Sequence, residues 1–225
     1  MENFWPGSSD NVAVLPLDSS EPLGRIEMHA TALAFSTDGQ RLAIGTLQGH
    51  LAIVDVFTGK RSDWIGAPKT FLYQGRGMSV DSTIYRLSFR PDGRILAATH
   101  FGIVELEQVG SDIKTVGEPF ADSGVASQMA TGADLVAGLA MVYDGTKPSQ
   151  VRLWDAETHR AFPAIIGSKG SKDTSEITQL AITSDGKRLA IARRSGDVEV
   201  VDTDAFGWAR RAILHVGALP THSRE

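Results

Sequence analysis

Residues 35–61 read FSTDGQRLAIGTLQGHLAIVDVFTGKR, two short apolar runs, each closed by a turn built from Asp, Gly or Thr with a basic residue. Runs of this length bounded by turn residues are strand signals, and the Asp38-Gly39 turn ahead of the first run joins it as a hairpin to the apolar residues that precede it. The stretch is not alone. It returns as LSFRPDGRILAATHFGIVELEQVG from Leu87, as a degraded copy from Gln128 that includes VRLWDAETHR, and as LAITSDGKRLAIARRSGDVEVVDTDAFG from Leu180. The acidic residue after the second apolar run falls at Asp55, Glu105, Asp155 and Asp202, at intervals of 50, 50 and 47 residues. A period of this size signals a repeat architecture.

Each copy reads as four strands. TALAFS, YRLSF, SQMA and QLAIT are first strands, joined by tight turns to the second strands RLAIGT, ILAAT, LVAGLAMVY and RLAIA. LAIVDV, GIVELE, VRLWDA and VEVVDT supply third strands, and more charged segments such as SDWIGA and ARRAILHV the fourth. Charge on the outermost strand keeps a sheet from pairing with strangers. Inner strands are apolar at successive positions, so both sheet faces need covering, while helical periodicity is scarce. Four-stranded sheets covered by their own neighbours describe a β-propeller.

Composition is compatible with that. The 225 residues are 42% hydrophobic and 22% charged, without cysteine, which makes a folded chain without disulfides. The net charge of −5 offers no general attraction for nucleic acid or anionic lipid, and no run of about 18 apolar residues or basic leader appears, so the expected setting is the cytoplasm, with no membrane or nucleic-acid partner.

Units of this length with FSTDG (35–39), FRPDG (89–93) and ITSDG (182–186) turns, and with Trp154-Asp155 closing one third strand, resemble divergent WD-repeat propellers. The other copies carry Val54-Asp55, Val104-Glu105 and Val201-Asp202 at the Trp-Asp place, and no Gly-His pair precedes a first strand. The expected architecture is all-β: an N-terminal segment 1–27 with a partial blade, four blades over 28–217 (about 29–74, 83–120, 125–166 and 175–217) and a tail, 218–225. Residues 11–28 read as a third and fourth strand lacking the first two. Four and a half blades leave three readings: a piece of a larger protein, an open arc that self-associates to close the propeller, or a small ring.

The search for chemistry returns little. HExxH, GxSxG and GxGxxG are absent; GSKGSKDTS from Gly167 would need Lys at 173 for a phosphate loop and has Asp173. The histidines never pair at metal-ligand spacing, so neither a metal nor another cofactor is expected. Asp55, Asp155 and Asp202 are expected to bond their own turns. An enzyme reading, a propeller hydrolase or lactonase, needs acidic residues or His at the inner ends of first strands, where the sequence offers Ala, Leu, Thr and Gln.

The resemblance implies a non-catalytic platform for protein or peptide partners, or the sensor part of a larger signalling protein. Strand direction puts the inter-blade loops and second-to-third-strand turns at one end of each blade, and that end carries the irregular segments. Arg76, Phe101, Tyr143, Lys172, Arg193 and Arg194 are the candidate partner contacts, since exposed aromatics and Arg anchor interfaces.

Overall fold

The computed structural model describes residues 11–14, 24–66, 69–73, 76–80, 82–120, 125–141, 150–166, 177–203 and 211–214. Every regular element among them is a β-strand. A two-stranded sheet opens the chain, β1 (Asn11–Val14) antiparallel to β2 (Gly24–Glu27). The first blade follows as β3 (Ala30–Phe35), β4 (Arg41–Thr46), β5 (His50–Asp55) and β6 (Arg61–Ile65), paired in that order. A separate hairpin, β7 (Lys69–Tyr73) with β8 (Arg76–Val80), stands before the second blade. That blade is β9 (Ile84–Phe89), β10 (Ile95–Thr99), β11 (Gly102–Val109) and β12 (Asp112–Thr115). The third is β13 (Val125–Thr131), β14 (Leu135–Met141), β15 (Gln150–Asp155) and β16 (Ala161–Ile166), and the fourth β17 (Ile177–Ile182), β18 (Arg188–Arg193), β19 (Val198–Asp202) and β20 (Arg211–Leu214).

Four antiparallel, four-stranded sheets therefore stand where the repeats predict them. The partial blade is present as β1 and β2. One expectation needs correction: the inter-blade stretch 73–82 is expected among the irregular segments, whereas Tyr73 ends β7 and Arg76–Val80 forms β8, paired antiparallel with it. Thr70, Phe71, Tyr73 and Val80 favour strands, whereas Gly75 and Gly77 are loop signals by local sequence.

The chain divides into two compact units, Met1–Thr99 with Glu105–Val116, and His100–Val104 with Gly117–Glu225. In the first unit, Leu42, Ile44, Ala52 and Val54 of the first blade pack under Val12 and Met28. Arg41 reaches the second blade, its guanidinium 5.2 Å from the Phe89 ring centre and donating to Gln108 Oε1 at 3.4 Å, while Gln108 Nε2 donates to Ser62 Oγ at 2.9 Å. In the second unit the core joins Ala137, Leu139, Val151 and Leu153 of the third blade to Leu180, Leu189, Ile191 and Val201 of the fourth. β5 and β10 are buried at successive residues, as required of strands covered on both faces.

A bulge interrupts the pairing of first and second strands in every blade, between Ala30 and Ala32, Ala98 and Thr99, Ala126 and Met129, and Ile177 and Gln179. Bulges increase local twist. In the first blade the bulged Thr31 uses the displacement: its hydroxyl lies 3.1 Å from Gly45 O and 2.6 Å from Ile84 O, so the innermost strand is tied to its neighbour's.

Candidate functional site

The second-to-third-strand turns of the first, second and fourth blades differ in length and in the chemistry they present. In the first blade Gly49, at φ 77°, lets the chain turn against the Ser82 backbone, and His50 N–H donates to Thr46 Oγ1 at 3.1 Å. His50 Nε2 donates to Asp63 Oδ1 at 2.8 Å, and Arg61 Nε donates to the same oxygen at 2.7 Å. Partial burial raises the Asp63 pKa, but these hydrogen bonds and charges outweigh it and hold the carboxyl below its usual value. Exposed Leu47 and Ile65 lie at this end of the blade, and so give it apolar as well as charged surface.

Phe101 occupies the matching turn of the second blade. It is half-buried, its ring edge-on to buried His100 at 5.2 Å, so the aromatic expected to be exposed is packed against its neighbour. Burial holds the His100 imidazole below its usual pKa, which favours the neutral ring under Phe101. In the fourth blade Arg193 ends β18 and lies 3.5 Å from Glu199 Oε2, a mostly buried pair that draws its guanidinium toward the sheet. Arg194 is exposed in the turn itself. Arg76 is a strand residue of β8 rather than a loop residue, and Tyr143 and Lys172 lie outside the described residues. Phe101 and Arg194 thus sit in turns of two different blades, each at the end expected.

The opposite ends carry apolar exposure too. Phe57 protrudes from the β5–β6 turn, and Phe35 and Val109 are exposed at strand ends on that side. Phe35 is not among the contacts read from the sequence; its repeat equivalents Phe89 and Ile182 are half-buried, and only its neighbours decide that it is exposed.

The acidic residues of the repeat have structural employment. Asp55 Oδ1 accepts from Phe57 and Thr58 N–H at 3.0 and 2.7 Å, and Asp155 Oδ1 from Glu157 and Thr158 N–H at 3.1 and 2.7 Å. Glu105, at the same place in the second blade, instead lies fully buried against Arg90, 2.7 Å away, with Arg94 at 3.6 Å. In the fourth blade the buried Thr203 hydroxyl donates to Gly186 O, and the residues after Thr203 that Asp202 is expected to cap lie outside the described residues. Among the described residues no group of three His, Asp or Glu side chains could hold a metal ion.

No protein-family model matches the chain. Over 112 residues, 48% of its length, it is 31% identical to Autophagy-related protein 18 of Meyerozyma guilliermondii, of which the match covers only 18%. Among solved structures it is similar to the β-propeller domain of Myceliophteria thermophila Cps50 (Swd1), with a TM-score of 0.63 and 15% identity, and to the Pan2 WD40 domain of Neurospora crassa, with a TM-score of 0.60 and 14% identity. In each case 92% of this chain is aligned, but it spans only 65% and 60% of those propellers. The fold of this chain is that of a divergent WD-repeat β-propeller, less than two thirds the length of the propellers it matches.

Proposed function

We propose that the chain is a non-catalytic interaction platform that holds a protein or peptide partner on the second-to-third-strand turns and inter-blade segments of its blades. The observation carrying this reading is the combination of four four-stranded blades with exposed Leu47, Ile65 and Arg194 and half-buried Phe101, each at that end of its own blade. Irregular surface on a rigid scaffold is the usual place for recognition. Propeller neighbours and the partial match to a WD-repeat protein support a binding role, and the short span of the match supports a part within a larger assembly. Asp55 and Asp155 cap their own turns, which supports a structural rather than a catalytic role for these repeat carboxylates.

The test is affinity capture from lysate of the source organism with the Phe101→Ala/Arg194→Ala double variant. Capture should fall to background while the circular dichroism spectrum is unchanged; because Phe101 is half-buried, Arg194→Glu alone serves as the variant that spares packing. Capture retained by both variants, or lost only with Asp38→Asn and Asp185→Asn, would place recognition at the opposite ends of the blades.

A further inference from the structure

Arginine closes the Asp-Gly turn from the same position in three blades. Arg41 O accepts from Ser36 N–H at 2.9 Å, Arg94 O from Arg90 N–H at 2.8 Å, and Arg188 O from Thr183 N–H at 2.9 Å. Their guanidinium groups have different employment. That of Arg41 lies over the Phe89 ring and bonds Gln108, and that of Arg94 lies 3.7 Å from Asp92 and 3.6 Å from Glu105. Arg188 is exposed and lines a surface cleft of about 310 Å³, together with Thr183, Ser184, Asp185 and exposed Lys187. Gln40 holds the place of Lys187 in the first blade, so the adjacent cations distinguish the fourth.

The backbone beneath these cations is fixed from several directions. Asp185 Oδ1 accepts from the Thr183 hydroxyl at 2.6 Å and from Lys187 N–H at 3.0 Å. Ala133 N–H of the third blade donates to Ser184 O at 3.0 Å, and Thr203 donates from its N–H to Lys187 O at 2.8 Å and from its hydroxyl to Gly186 O. A turn ordered in advance lowers the cost of ordering on binding.

The lining also sets the charge that the cleft takes. Lys187 and Arg188 bring two positive charges and Asp185 one negative, its carboxyl held below its usual pKa by the Thr183 hydroxyl first and then by Lys187 N–H. The balance of one positive charge is neutralised by a single carboxylate, whereas a phosphate group of about −2 overshoots it. A guanidinium meets a carboxylate with two parallel hydrogen bonds, and the ammonium adds a point charge. With a net charge of −5 the chain as a whole has no pull on anions, so the attraction is local to the cleft.

We propose that the fourth-blade cleft lined by Thr183, Ser184, Lys187 and Arg188 binds an Asp or Glu side chain on an acidic segment of a protein partner. Arg188 begins β18 and Arg194 follows its other end, so this site is separate from the surface proposed above and does not rest on it.

The probe is the capped peptide GSDEDESG, with GSNQNQSG as its neutral counterpart, titrated at low salt into the full chain labelled with ¹⁵N. Saturable shifts of the Ser184–Arg188 amide signals are expected with the acidic peptide and not with the neutral one. Affinity should fall at least about tenfold in Lys187→Gln/Arg188→Gln, the worth of one charge-assisted hydrogen bond, and about threefold in Lys187→Gln, an exposed position whose change spares the melting temperature. Arg194→Glu should leave the affinity unchanged, so failure here and failure of the turn surface register separately. Absence of saturable shifts, equal binding of the neutral peptide, or binding indifferent to both substitutions overturns the inference. So does tighter binding of inorganic phosphate, or recruitment to phosphatidylserine vesicles that the same substitutions abolish, either of which assigns the cleft to a phosphate-bearing ligand.

Discussion

His159 shows how one residue can hold an unfavourable backbone. It occupies the place in its turn that Gly59 holds in the first blade, with φ 57° against 69° for the glycine. A left-handed conformation costs a side chain about 1 kcal/mol. His159 offsets that by stacking on Phe120, ring centres 4.1 Å apart, and by donating from Nδ1 to Glu118 O at 2.7 Å; Phe120 in turn meets Trp154 edge-on. Trp154, the single literal Trp-Asp match, is thus buried through a partner unrelated to the repeat pattern. His159→Ala keeps the strain and loses both contacts, so it should destabilise by about 1–2 kcal/mol. His159→Gly loses the contacts but relieves the strain, and should fall between wild type and Ala in urea denaturation. If Gly proves as damaging as Ala, the strain argument fails.

At the scale of elements, the turns separate glycines needed for conformation from glycines needed for room. Gly59 and Gly49 are both left-handed, at φ 69° and 77°. A Cβ on Gly59 would meet nothing within 4 Å, while one on Gly49 would come within 2.8 Å of Ser82 O, a backbone atom that cannot swing aside. Gly59→Ala should therefore cost about 1 kcal/mol, and Gly49→Ala roughly 2–4 kcal/mol, with the excess lost from the packing of the first blade against the segment entering the second. Equal losses in denaturation midpoint would show that backbone strain alone decides both. The same reasoning applies in the second unit, where a Cβ on Gly132 would approach Gly186 Cα to 2.8 Å, two turns of neighbouring blades in close contact.

Across the whole molecule, repetition sums small effects. Asp38 accepts from the Ser36 hydroxyl and Gln40 N–H, Asp185 from the Thr183 hydroxyl and Lys187 N–H, and Asp55 from Thr58 and Phe57 N–H. These hydrogen bonds, the side-chain ones first for Asp38 and Asp185 and the Thr58 backbone first for Asp55, hold all three carboxyls below their usual value. Groups whose folded pKa is depressed contribute stability above their unfolded pKa and lose it as pH falls through the folded value. The melting temperature should accordingly drop on acidification below about pH 4, and the drop should be shallower in Asp38→Asn/Asp55→Asn/Asp185→Asn. An unchanged acid slope in that variant would assign acid sensitivity elsewhere, to groups such as Asp63.

The sequence alone determined the blades. Spacing of Asp55, Glu105, Asp155 and Asp202, with apolar runs between Asp-Gly turns, is local information, because strand and turn formation depend on near neighbours and on a hydrophobic pattern that one strand displays by itself. It also disclosed the partial blade, since β1 and β2 follow the same pattern. It did not disclose the β7–β8 hairpin, whose glycines mimic a loop, nor the bulges, which arise from twist between paired strands. Above all it could not separate Leu33 from Leu180 or Phe35 from Ile182. Those residues are equivalent in every local respect, and only tertiary structure decides that the first of each pair is exposed and the second packed on a core, because burial depends on which side chains other strands lay over them.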